Sequence, residues 1–149
     1  MNNDLNTNIY WLLIQVATRA RHELARIAEK QFNLTGVQFQ TLCLLDAERP
    51  VPMNTISHQL VCDASNVTGI VDRLVAGGYI ERREDPSDRR IKTIALTEKG
   101  LQTRRQIKKH LEAIEPEGIR ELSTHDRKTL YRLLSHSLAA GGTDACKLP

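Results

Sequence analysis

Residues 63–100 read DASNVTGIVDRLVAGGYIERREDPSDRRIKTIALTEKG, and the change of periodicity within them decides the fold. From about Ala64 to Ala76 the apolar residues Val67, Ile70, Val71 and Leu74 recur at the three-and-four spacing of one helix face, and Gly77-Gly78 suits a left-handed C-cap. YIERR and IKTIALT then lose that period and gain β-branched residues, which predicts two antiparallel strands joined by EDPSD, with Pro86 and Ser87 in the turn.

Upstream, a short helix spans about Asn54 to Val61 with Ile56 and Leu60 on one side. Only VCDA separates it from the helix at Ala64, and two short helices joined so tightly carry the helix-turn-helix signature. The preceding helix begins near Thr35, where Gln38 three residues on completes a capping box, and stops at ERPVP. A long amphipathic helix runs from Ile9 to about Gln31.

Downstream, Thr97 is placed to cap a helix with Glu98 in its first turn and a stripe of Leu101, Ile107, Leu111 and Ile114 expected to be buried. A last helix starts near Ser123, with Asp126 completing a second box, and runs to Gly141-Gly142. A lone hairpin is marginal in water, so this one must lean on its helices. The expected fold class is mainly α with a small β-hairpin wing: a winged helix-turn-helix over about residues 34–100, flanked by terminal helices at about 5–32 and 101–140, with 141–149 as a tail.

At 149 residues the chain has the length of one domain. It is 40% apolar and 26% charged, with no run of about 18 apolar residues to cross a bilayer. The N-terminus lacks the pattern of an export signal, and three widely spaced cysteines, Cys43, Cys62 and Cys146, argue against a disulfide framework; both point to the cytoplasm. Its five histidines never adopt a metal-ligand spacing with cysteines or carboxylates, and neither metal nor cofactor is expected. An enzyme has little support: there is no phosphate loop, no nucleophile motif and no convergent acid and base pair. A net charge of +3 permits a polyanionic partner without requiring one.

The stretch 63–100 resembles the heart of the MarR family of bacterial transcriptional regulators, in which a "VT..VDRL" recognition helix leads through "G.I.R" to a wing ending "D.R......LT..G". The resemblance implies a homodimer that binds pseudopalindromic double-stranded DNA, with the recognition helix in the major groove and the wing in the minor groove. It implies a regulator, expected to be a repressor, answering to a small aromatic or phenolic effector. Carried onto this chain, Ser65, Asn66 and Thr68 face DNA from the helix, Arg73 lies near the backbone, and Asp88 with Arg89 or Arg90 forms the wing site. Arg90 fits the Asp-x-Arg spacing better.

The chemistry of these residues suits the roles. Asn66 offers a paired donor and acceptor to an adenine edge, and arginine enters the narrow minor groove readily. Asp88 is expected to orient an arginine through a charge-assisted pair. Simpler readings stand beside these: Ser65 and Asn66 occupy N-cap positions, Arg73 has Asp72 and Glu81 within reach, and EDPSDRR is the composition of a solvated turn. Gly69 departs from the family, many of whose members carry a larger residue there.

The apolar residues of IYWLLIQV and LYRLLSHSL exceed what a small winged helix can cover, so the terminal helices are expected to pair two chains. No motif fixes an effector site; Trp11, His22 and Phe39 are candidates, with core packing as the alternative. A cysteine-based redox sensor and a winged-helix protein interaction module without an operator are the rival functions. RRQIKKH, residues 104–110, is expected to decorate a solvent face, with a contribution to the DNA footprint as the alternative.

Overall fold

The computed structural model describes residues 8–60, 64–114 and 116–141. These fall into two compact units, one within Met1–Phe39 and one within Gln40–Pro149.

In the first unit, helix α1 spans Ile9–Phe32. The Asn8 side chain accepts hydrogen bonds from the amides of Tyr10 and Trp11 at 2.9 and 3.3 Å, and so satisfies donors that the first turn leaves orphaned. Asn33, left-handed at φ 53°, ends the helix. Helix α2, Gly36–Leu44, crosses the boundary between the units. It starts with the expected reciprocal box: the Thr35 amide donates to Gln38 Oε1 at 2.8 Å and the Gln38 amide to Thr35 Oγ1 at 3.3 Å.

The second unit continues with strand β1 (Val51–Pro52), helices α3 (Met53–Leu60) and α4 (Ala64–Ala76), strands β2 (Ile80–Glu84) and β3 (Lys92–Leu96), and helices α5 (Glu98–Ala113), α6 (Glu117–Arg120) and α7 (Thr124–Gly141). The sheet order is β1-β3-β2, all antiparallel, with Ile80 opposite Leu96 and Glu84 opposite Lys92. A third strand therefore joins the expected hairpin. It is two residues long, and its proline is tolerated because an edge strand needs no inward donor at that position.

Ile56, Leu60, Val67, Val71, Leu74, Ile80, Ile94 and Ile107 are buried and form the apolar core of this unit. At about 1.5–3 kcal/mol for each large aliphatic side chain removed from water, this cluster outweighs any exposed ion pair in the unit. β3 is buried from Thr93 to Leu96, whereas β2 is buried only at Ile80, so beyond its root the ribbon stands in solvent. Leu111 departs from its expected burial and is 38% exposed. Short α6 is a second element that periodicity alone did not disclose.

Candidate nucleic-acid interface

Helix α4 buries Val67, Val71 and Leu74 and leaves Asn66, Thr68, Asp72 and Arg73 exposed. This is the division the three-and-four spacing demands. Ser65 belongs to α4, but its side chain lies outside the described residues, as does the turn at 61–63 that contains Cys62. Arg73 has no ion-pair partner among the described residues, because both of its candidates are taken. Asp72 pairs with Arg82 of β2, and Glu81 with Arg83.

The exit of α4 is fixed. Gly78, at φ +72°, takes the left-handed turn that the paired glycines predict, and the Tyr79 amide donates back to the Leu74 carbonyl at 3.0 Å. The start of α5 grips this turn. Thr97 Oγ1 donates to the Gly78 carbonyl at 2.6 Å, and Lys99 Nζ donates to the Gly77 carbonyl at 2.6 Å while lying 4.2 Å from the centre of the Tyr79 ring. Gly100 packs so closely that a β-carbon there would stand 1.9 Å from the Tyr79 carbonyl oxygen.

The ribbon divides its charges by position. Along its strands Arg82, Arg83 and Lys92 are each paired with a carboxylate. At its tip Arg89 and Arg90 are exposed, with no ion-pair partner among the described residues.

Asp85 organises the turn, accepting from the Ser87 amide at 2.8 Å, the Asp88 amide at 3.3 Å and the Ser87 hydroxyl. These bonds hold its carboxyl below the usual carboxylate range, the Ser87 hydroxyl contributing most. Asp88 does not orient a guanidinium as expected: its Oδ1 accepts from the Arg90 backbone amide at 2.9 Å, closing a second local turn. An Asp so close in sequence reaches an amide two residues on with less loss of freedom than a long side chain would require.

Residues 34–92 match the MarR family model. Over 67 residues, 45% of this chain and 42% of the relative, the sequence is 37% identical to the HTH-type transcriptional repressor NicR of Pseudomonas putida. The solved structure of CouR from Rhodococcus jostii RHA1, bound to p-coumaroyl-CoA, is 25% identical with a TM-score of 0.79, covering 97% of this chain and 98% of that one. Over residues 34–92 the chain is similar to the MarR family.

A second solved structure, the S. aureus MepR–DNA complex, has a similar fold at a TM-score of 0.70 and 22% identity, over 89% of this chain and 96% of that one. The chain spans about half the length of the curated relatives it matches.

The effector candidates of this chain do not converge. Trp11 and His22 are exposed and lie eleven residues apart on α1, about 16 Å at the helical rise. Phe39 is buried, with its ring 5.6 Å from that of Phe32 in an edge-on contact.

A cavity of about 310 Å³ that the sequence did not disclose is lined by Cys43, Arg104, Ile107, Lys108, Leu111 and Glu112. Arg104 was expected on a solvent face with the rest of RRQIKKH. It is half-buried instead, and its Nε is buried without a hydrogen-bond partner among the described residues, while Arg105, Lys108 and Lys109 are exposed. Burial pushes the Cys43 thiol up, against the opposing pull of Arg104. Cys146 lies outside the described residues.

No group of three or more His, Cys, Asp or Glu able to hold a metal occurs among the described residues, and no described helix is long and apolar enough to cross a membrane.

Proposed function

We propose that this chain is a cytoplasmic transcriptional repressor that binds a pseudopalindromic duplex as a homodimer and releases it in response to a small aromatic or phenolic effector. The observation that carries the reading is the division of charge on the ribbon: self-neutralised strands and two tip arginines with no ion-pair partner among the described residues, beside a helix whose outer face carries Asn66, Thr68 and Arg73.

Each group has a chemical task in that reading. α4 enters the major groove, where Asn66 pairs with an adenine edge, Ser65 and Thr68 approach bases or phosphates, and Arg73 meets the backbone. The ribbon tip enters the minor groove with Arg89 or Arg90, whose weakly hydrated fork suits the deep negative potential there. Asp88 acts on Arg90 through the backbone, holding the turn that presents it.

Two symmetric α4 helices must stand roughly 34–36 Å apart to meet successive major grooves, so an effector that alters their spacing releases the duplex. CouR, solved with a coenzyme A thioester of an aromatic acid, supports an effector of aromatic character, and the cavity beside Arg104 supplies room for one. A raised thiol weighs against Cys43 as an oxidant sensor.

The test is selection from a random-sequence duplex pool by the purified protein. The expected product is an inverted repeat with half-sites one helical turn apart, bound with a steep inverse dependence on salt. An unenriched pool would refute operator binding and leave a protein interaction module.

A further inference from the structure

Helix α4 contains a glycine that its own fold does not ask for. Gly69 lies inside a 13-residue helix, where glycine is the least favourable residue after proline because it gives up the most backbone freedom and offers nothing to pack. Two intrachain reasons would justify it, and neither holds. Positive φ occurs at Gly78 but not at Gly69, and a β-carbon built at Gly69 meets no atom within 4 Å, in contrast to Gly100.

The position is also central. Residues three and four apart are neighbours on a helix surface, so Gly69 is flanked by exposed Asn66 on one side and by exposed Asp72 and Arg73 on the other. Asp72 is held towards β2 by Arg82, and a β-carbon at Gly69, between Asn66 and Arg73 along the helix, would enter open space.

We infer that Gly69 is a specificity-determining residue: its missing side chain lets the backbone of α4 seat against base edges in the major groove, at a depth that a single added methyl prevents. The inference rests on the proposed reading of α4 as the DNA-facing helix. It explains why a stability cost is carried at a site where alanine fits the free protein without a clash.

The experiment uses the full chain, the duplex retained most strongly from a random pool by the wild-type protein, and a scrambled duplex of the same length. Thermal melting and fluorescence-anisotropy titrations compare the wild type with Gly69→Ala and Gly69→Leu. Alanine should raise the melting temperature by about 2–4 °C, since it restores helix propensity in open space. It should weaken binding to the selected duplex about tenfold, and leucine should weaken it further. Affinity for the scrambled duplex should stay within about twofold and the salt dependence should be unchanged, because no charge is removed.

A more stable protein that binds worse is a combination that a purely structural glycine cannot produce. Undiminished affinity in Gly69→Ala, while the wild type still selects a duplex, would overturn the inference and leave the DNA-binding reading intact; a lowered melting temperature would overturn it by assigning the glycine to the fold. If the wild type retains no duplex, both fall together.

Discussion

At the scale of single residues, the question is which arginines remain available to a partner. Five arginines lie between Arg73 and Arg90, and sequence distinguishes them only by resemblance; the ion pairs distinguish them physically, since Arg82 and Arg83 are committed to Asp72 and Glu81. Exposed pairs of this kind contribute only about 0 to 1 kcal/mol, yet each lowers the local positive field that a phosphate would meet. Arg90→Ala is therefore expected to weaken operator binding by about 1–3 kcal/mol and to reduce the slope of log affinity against log salt by about one. Anisotropy titrations at several salt concentrations check both, and wild-type affinity with an unchanged slope would exclude Arg90 from the contact. Asp88 shows where residue-level reading stopped. Its place two residues before Arg90 was legible, but whether it meets the guanidinium or the amide depends on turn geometry that composition does not encode. Arg104 was misplaced for a related reason: on an amphipathic helix a long side chain can bury its stem, so a basic run does not by itself mark a solvent face.

At the scale of elements, local chemistry was readable wherever one residue's side chain satisfies a nearby backbone group. The Thr35/Gln38 box, the Thr97 cap and the glycine exit of α4 were all visible in the sequence, because each is a short-range solution to orphaned helix termini. Strand β1 was not visible, since Val51–Pro52 is too short to show a period and exists only because β3 offers it an edge. The wing turn is similarly local, and its pH dependence follows from Asp85. That carboxyl is held below its ordinary value in the folded turn, so its contribution is complete above the unfolded value of about 4 and is lost as pH falls through the lower folded value. Because Asp85 accepts hydrogen bonds from Ser87 and Asp88 of its own turn, the effect is expected in the turn rather than in the global fold. The Ser87 and Asp88 amide resonances should shift below about pH 4, and Asp85→Asn should abolish that titration. Amides that titrate identically in the variant would show that another group organises the tip.

At the scale of the whole molecule, the decisive feature is apolar surface that a single chain leaves wet. On α1, Ile9, Tyr10 and Val16 are 75%, 74% and 62% exposed; on α7, Tyr131, Leu134 and Leu138 share one face at 76%, 41% and 65%. Soluble monomers rarely leave large apolar patches uncovered, and a two-fold axis would cover each with its own copy at no cost in new sequence. The same axis is what would set two α4 helices and two arginine tips at a fixed separation, so pairing and operator recognition should fail together. Sedimentation of the wild-type protein is expected to give twice the chain mass, and Leu134→Lys combined with Leu138→Lys to give single chains whose secondary structure is retained. Those single chains should bind one half-site alone, losing more operator affinity than Arg90→Ala does, since every contact of the second half-site is forfeited along with the effective concentration that pairing provides. A double variant that stays paired would place the interface away from α7, and one that separates yet binds the full operator as tightly as the wild type would remove the symmetric, two-groove arrangement on which the regulatory reading depends.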